Sequence, residues 1–351
     1  MRYLAISIWL FLFHSLFAQD LLIGTHAKAG DQGFYGAWDK LKSLKISKLL
    51  DRTGTSIVLQ RGSSSVIYTC GVGDQGEDGL IHCFDLKSGE LLKTISSGDS
   101  RPCYLSLSKC QKFLFVANIR NGSVCSFKLC DKGVPLVLIS TVKVKPITKR
   151  FAPHACVVSP EGKFLFVPDI SGNRLCRLKI DNGVLSYMDS LYSEYFTGPR
   201  HITFDPIGKS AYLVNQMGEA VSILSYKSGK LSFVKNVQSL PSDQLNINNH
   251  IAEIKIHPSG KFVYASNRGH DSLVLYQRDL ETGMLTYDQC FSSGGEAPWS
   301  FAISSDGAQL FCSNNMSNNL VRYKIEQETG AIYAKEEVLK VANPCCVVYV
   351  K

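Results

Sequence analysis

Short apolar runs alternate with tight-turn residues along this chain, and no stretch carries the 3.6-residue period of an amphipathic helix. One pattern recurs: an apolar run, then Pro or Ser with Gly or Lys, a second apolar run, and Asn. It reads IKIHPSGKFVYASN at 254–267, ITFDPIGKSAYLVN at 202–215 and FAISSDGAQLFCSN at 301–314. Weaker copies are VVSPEGKFLFVPD at 157–169 and LSLSKCQKFLFVAN at 105–118. The closing position falls at Asn118, Asp169, Asn215, Asn267 and Asn314, and the same frame extended backward reaches Gly71 and Gly24. Successive spacings are 47, 47, 51, 46, 52 and 47 residues, within the range of about 40–50 typical of propeller repeats.

After the closing residue each copy runs into an alternating strand (SVCSFKL, AVSILSY, NLVRYKI), a Gly-containing turn (KSGKL, ETGML) and a more polar fourth strand such as LSFVKNVQS. Four strands per copy predict one antiparallel sheet each. The first copy begins at LLIGT and lacks its first strand, whereas the C-terminal ANPCCVVYVK matches the first strands of the other copies. The last strand is therefore predicted to complete the first blade and cover its open edge. Pro102, Pro153, Pro199, Pro298 and Pro344 all stand at the entry to that strand, where a missing N–H is tolerated. The predicted fold is all-β: a seven-bladed propeller of four-stranded antiparallel blades over 21–351, closed by the C-terminal strand.

Composition narrows the function classes. Of 351 residues, 45% are hydrophobic and 19% charged, which excludes a disordered chain and a polytopic membrane protein. The net charge is +8, but only KVKPITKR at 143–150 is locally basic. It lacks aromatics and reads as a solvated loop, so no nucleic-acid partner is expected. Residues 1–20, MRYLAISIWLFLFHSLFAQD, have a basic start, a short apolar run and a small residue before Gln19. They read as a signal peptide over 1–18, despite His14 inside the run and the large Leu16. The mature chain is then exported, periplasmic or extracellular, with no stable membrane insertion. The twelve cysteines form no CxxC pair. Cys125, Cys176 and Cys312 lie in apolar strand-like runs as small hydrophobes. No metal, cofactor or disulfide framework is expected.

In such a blade the start of strand one and the end of strand two open on the same face. Aligning the copies puts Cys103, His154, Arg200, Ala252, Trp299 and Cys345 at the first position, and Ile119, Ile170, Gln216, Arg268 and Asn315 at the second. His154, Arg200, Gln216, Arg268 and Trp299 are thus predicted to converge on one mouth of the central channel. Polar residues often line such wet channels without chemistry. A propeller needs no imidazole and pair of guanidiniums there for stability, however, and two nearby cations repel unless an anion joins them. Glu253 takes second rank, His270 is a rim contact, and His26, His82, His201, His250 and His257 sit at unmatched or flanking positions.

At these residues the chain resembles the propeller-type lactonase family, that of 6-phosphogluconolactonase, with fungal carboxy-muconate cyclase as a relative. The resemblance runs from about Leu22 to Val350 and includes IGT at 23–25, PHA at 153–155, PRHITFDPIGK at 199–209, VNQ at 214–216, AEIKIHPSGKFVYASNRGHDS at 252–272 and NPCCVVY at 343–349. It implies lactone chemistry at the channel mouth. Three positions depart from the family: Gln216 replaces an acidic residue, Cys156 a second His, and Trp299 an Arg. An amide cannot accept a proton as a carboxylate does.

The resulting expectation is hydrolysis of a sugar lactone, phosphorylated or not. Arg200 and Arg268 would hold the anionic group, and His154 would act as general base for water. Gln216 would orient that water, Trp299 would stack on the sugar ring, and Asn267, Glu253 and His270 would complete the binding set. The alternative is a non-catalytic exported propeller that binds a sugar acid or a protein partner, having lost the acid at Gln216. A lactonising reaction of the muconate type is a third reading, weakened by the same missing acid. The family's substrate belongs to cytosolic metabolism, so the resemblance points to the cytoplasm where the leader points outside. A closed ring leaves no edge to protect, and a monomer is expected.

Overall fold

Runs such as FLFVAN and SAYLVN, apolar at nearly every position, suit strands covered on both faces. The computed structural model buries Phe113–Asn118 and Ser210–Asn215 almost throughout. The structure describes residues 21–26, 34–40, 43–50, 57–62, 64–72, 79–147, 150–244 and 248–350; the leader expected over 1–18 lies outside them. The described strands form seven four-stranded antiparallel sheets. Strands are lettered a to d from the inside of each blade outward. Strand a is Pro344–Tyr349 in blade 1, Ile57–Gln60 in blade 2, Pro102–Leu107 in blade 3 and Val157–Val158 in blade 4. In blades 5, 6 and 7 it is Pro199–Phe204, His250–Ile256 and Pro298–Ile303.

Blade 1 joins the two ends of the chain. Leu21–Thr25 pairs with Pro344–Tyr349 through Leu21↔Tyr349, Leu22↔Val348 and Ile23↔Val347. Each blade touches the next in sequence, and blade 1 touches both blade 7 and blade 2. The core is accordingly a set of layers between blades. One layer sets Phe115, Ala117 and Val124 of blade 3 against Leu165, Val167 and Cys176 of blade 4. Another sets Tyr212, Val214 and Ile223 of blade 5 against Val263, Ala265 and Val274 of blade 6. Cys125, Cys176 and Cys312 are fully buried in these layers. Strand d has only one covered side: Val184–Tyr192 keeps Leu185 inside while most of its neighbours are exposed.

The recurrent closing Asn serves the blade itself. Asn118 donates to the Ser97 carbonyl at 3.3 Å and accepts from Ser97 Oγ at 2.8 Å. Asn314 donates to the Ser293 carbonyl at 2.9 Å. Each side chain ties the end of strand b to the segment arriving from the preceding blade, so no buried amide is left unpaired. Asp169 does the same work with a charge, accepting from Arg174 Nε at 2.9 Å and from the Ala152 N–H at 2.9 Å.

The turn between strands a and b explains the recurrent Gly. Gly162, Gly208, Gly260 and Gly307 have φ of 82°, 70°, 74° and 74°, a region that a Cβ penalises. Blade 3 breaks the rule with Gln111 at φ 60°, and its buried Oε1 has no hydrogen-bond partner. A left-handed residue costs about 1–2 kcal/mol, against roughly 0.5–1 kcal/mol of extra chain entropy lost by Gly. Gln111→Gly is therefore expected to stabilise the protein by about 0.5–1 kcal/mol. Urea unfolding should show a raised midpoint at unchanged slope; a lowered midpoint would mean the Gln111 side chain contributes more than its strain costs.

Candidate active site

Strand a is not regular where it enters blades 3, 5, 6 and 7. In blade 5 Pro199 pairs with Asn215 but Ile202 pairs with Leu213, so strand a holds one residue more than its partner. The same one-residue offset separates Pro102↔Asn118 from Tyr104↔Ala117 in blade 3. It recurs between Ile251↔Asn267 and Ile254↔Ala265 in blade 6, and between Pro298↔Asn314 and Ser300↔Ser313 in blade 7. Consecutive residues of a regular strand point to opposite faces, whereas a bulge re-aims one of them. Here consecutive residues share one cavity of about 290 Å³: Cys103 with Tyr104, Arg200 with His201, and Trp299 with Ser300. His154, Glu253, Lys255 and His26 also line it.

Of the residues expected from the sequence, His154, Arg200, Trp299 and Glu253 line this cavity. Arg268 stands beside it: its guanidinium lies 4.5 Å from the Trp299 ring centre, and that of Arg200 lies 5.8 Å from the same ring. Gln216 is outside the lining; its carbonyl accepts from His250 Nδ1 at 3.2 Å. The carbonyl of His250 in turn accepts from Arg268 Nε at 3.3 Å.

Two expectations are corrected. Asn267 is fully buried, donates to the Ser239 carbonyl at 2.8 Å and to Ser272 Oγ at 3.2 Å, and accepts from Asn249 at 3.1 Å. It is the closing amide of blade 6, with both N–H groups used and no surface exposed to a substrate. His270, in the turn after strand b (Phe262–Arg268) of blade 6, is held by Ser272 Oγ at 2.7 Å and by Gln244, and is not among the residues lining the cavity.

His201 and Tyr104 were hidden by the bulges, because strict alternation assigns them to the face opposite Arg200 and Cys103. The sequence signal was the pair Arg200-His201 directly after Pro199: two polar residues in succession at a strand entry. His82 and His257 pack within and between blades, on Thr94 Oγ1 at 2.9 Å and on the Gly307 carbonyl at 2.9 Å.

The charges are unequally satisfied. Buried Arg174, Arg177 and Arg278 each meet a carboxylate, from Asp169, Asp189 and Asp205. Arg200 is as deeply buried, yet among the described residues no carboxylate lies within hydrogen-bond reach of it: Nη1 donates to the Ala252 carbonyl, and Nε has no partner. Arg268 Nη2 is also buried without a partner. Burial lowers Arg200 to about 10; burial and the Arg200 charge lower Arg268 to about 9. Both remain cations at neutral pH, and a buried unpaired cation is costly. Two guanidiniums with free N–H groups beside an indole form a site for an anion.

Next to them lie two imidazoles with ring centres 5.2 Å apart. His201 Nδ1 is 3.1 Å from Glu253 Oε1. Burial tends to raise Glu253, but Lys255, His201 and Arg200 outweigh it and hold the carboxyl at about 2. Burial and Arg200 lower His201 to about 4 against the help of Glu253. His154 is pushed well below the ordinary value by burial, Arg200 and His201. Both rings are neutral at pH 7. Among the described residues no cluster of three or more His, Cys, Asp or Glu side chains is arranged to hold a metal.

Comparison with known proteins assigns the family. The model of the seven-bladed β-propeller lactonases matches residues 20–349. The chain belongs to that family. It is 28% identical over 339 residues to the 6-phosphogluconolactonase of Bacillus subtilis, covering 93% of this chain and 96% of that one. A Lactobacillus plantarum protein superposes with a TM-score of 0.86 at 23% identity, over 94% of this chain and 99% of the other. The periplasmic gluconolactonase of Pseudomonas aeruginosa does so with 0.84 at 21%, over 94% and 98%. These last two likenesses concern the fold. Family membership makes the chain a lactone hydrolase, an enzyme of the carboxylic-ester class acting on a small-molecule substrate.

The histidines give a stability test. Below pH 6.5 the unfolded chain takes up protons on His154 and His201 that the folded lactonase refuses, so stability falls as pH drops from about 6.5 toward 4. Urea midpoints measured across that range should decline, and less steeply in His201→Gln. Identical slopes for the two proteins would contradict the buried neutral state of His201.

Proposed function

We propose that this lactonase opens a sugar lactone bearing an anionic group, of the 6-phosphogluconolactone type, in the cavity at the channel mouth. The observation that carries the reading is the pair of fully buried Arg200 and half-buried Arg268, each with a buried N–H group that has no partner and, among the described residues, no carboxylate paired with it. The substrate's phosphate or carboxylate would complete them. A guanidinium nitrogen not used for anchoring also favours the oxyanion that forms when water adds to the lactone carbonyl. Trp299, flanked by His26 at 5.5 Å, offers a flat apolar surface for one side of the sugar ring. A cavity of about 290 Å³ lies near the lower end of the range usual for small-molecule sites.

The amide at Gln216 does not remove the acid–base chemistry. Its side chain is not part of the cavity lining, while Glu253 and two neutral imidazoles are. The leader at 1–18 supports an exported enzyme, and an exported enzyme would meet unphosphorylated sugar lactones or other sugar acids. Both gluconolactone and 6-phosphogluconolactone therefore belong in the assay.

Arg268→Gln keeps the bulk and removes the charge. A charge-assisted hydrogen bond is worth about 1.5–3 kcal/mol, so KM for the phosphorylated lactone should rise about 10- to 100-fold, with a smaller rise for gluconolactone. Rates are read as lactone opening above the buffer rate. Equal effects on the two lactones, or none on either, would remove Arg268 from anion binding.

A further inference from the structure

The bulge in blade 5 brings a second imidazole into the cavity, and only this one is paired with an acid. Glu253 enters from the corresponding bulge of blade 6, and its Oε1 is also fixed by the Ile254 N–H at 3.1 Å. An ionised carboxylate only accepts hydrogen bonds. Arg200 Nη1, which can only donate, also lies 3.4 Å from Nδ1 but already donates to the Ala252 carbonyl. With the nearer carboxylate at 3.1 Å, the proton of His201 sits on Nδ1 and Nε2 carries the lone pair. That Nε2 is buried and has no partner, and its ring borders the cavity.

We propose that His201, held in the Nδ1–H form by Glu253, is the base that takes the proton of the attacking water, with Glu253 as its positioning residue. The assignment rests on the lactone-hydrolase reading above and selects between its two imidazoles. His154 lacks what the role needs. Its charged neighbours are the cations Arg200 and Arg268, and its buried Nδ1 has no partner to fix a tautomer. His201 is faced by Arg200 on its own strand, by His154 from blade 4 and by Tyr104 from blade 3, whose ring centre is 5.3 Å away. Glu253 and Lys255 face it from blade 6, Lys255 Nζ lying 3.8 Å from Glu253 Oε2. Among these Glu253 alone is anionic at neutral pH, so it alone offsets the charge of the imidazolium that forms.

The step balances without a further reactant. Water oxygen bonds to the lactone carbonyl carbon, its proton passes to His201 Nε2, and the carbonyl electron pair becomes an oxyanion against a guanidinium. Collapse of that intermediate breaks the ring C–O bond. The leaving ring oxygen takes the proton back from Nε2, giving the hydroxy acid and the free base.

The test uses the full chain with whichever of gluconolactone and 6-phosphogluconolactone the wild type opens faster. His201→Gln should lose about 100-fold or more in kcat, with circular dichroism reporting the fold. Glu253→Gln keeps an acceptor for Nδ1–H but loses the charge. It should lower kcat about 10-fold or more and move the acid limb of kcat/KM to lower pH, because Arg200 then acts on the ring unopposed. Long-range ¹H–¹⁵N spectra of the wild type should give His201 the Nδ1-protonated pattern. His201→Gln within about threefold of wild-type kcat, beside a loss of about 100-fold in His154→Gln, would move the base to His154 and overturn the proposal. A pH profile of Glu253→Gln that superimposes on the wild type, or an Nε2-protonated His201, would overturn it as well. A wild type that opens neither lactone would fail the hydrolase reading itself, and the His201 spectrum would still judge the pair.

Discussion

The arrangement depends on one extra residue at the entry of the inner strands of blades 3, 5, 6 and 7. Because the strand carries that residue before its pairing settles, two neighbours in sequence face the channel where a regular strand would show one. Blade 5 presents Arg200 and His201 together, blade 7 presents Trp299 and Ser300, and blade 6 turns Glu253 inward. The entering proline and the closing amide are register partners just before the offset, as in Pro102↔Asn118, Pro199↔Asn215 and Pro298↔Asn314. The feature that defines the repeat is thereby the feature that doubles the side chains available to the site.

That doubling separates two tasks that would otherwise compete for one position. Arginine is suited to holding an anion, since it stays charged even when burial lowers it. A base must stay neutral and carry a lone pair, which the same burial and the same arginine enforce on His201. Glu253 prevents this from going too far, because an imidazole with only cationic neighbours would resist protonation at the moment of reaction. The elsewhere routine pairing of buried arginines, as in Arg174 with Asp169 or Arg278 with Asp205, makes the unpaired state of Arg200 a property of the site.

Much of the fold was legible in the sequence because its signals are local and repeated: the spacing of the closing residue, the Gly of the a–b turn, and the terminal strand that matches the first strands of other copies. The convergence of His154, Arg200 and Trp299 followed from blade geometry alone. His201 escaped because strict alternation was assumed at a strand entry that is bulged. Asn267 misled for the opposite reason. Its recurrence in the repeat marks a buried link between blades, and recurrence at a polar position resembles function until its hydrogen bonds are counted. Gln216 drew attention as a lost acid, yet its side chain lies outside the cavity lining while Glu253 supplies a carboxylate inside it.

The most direct measurement is a crystal structure of the protein soaked with 6-phosphogluconate, the hydroxy acid that would leave the site. The account expects an anionic group of the ligand within hydrogen-bond distance of Arg200 Nε and Arg268 Nη2, the sugar against Trp299, and polar atoms of the ligand facing His201 Nε2. A ligand seated elsewhere on the propeller, with both guanidiniums still unpartnered, would contradict it.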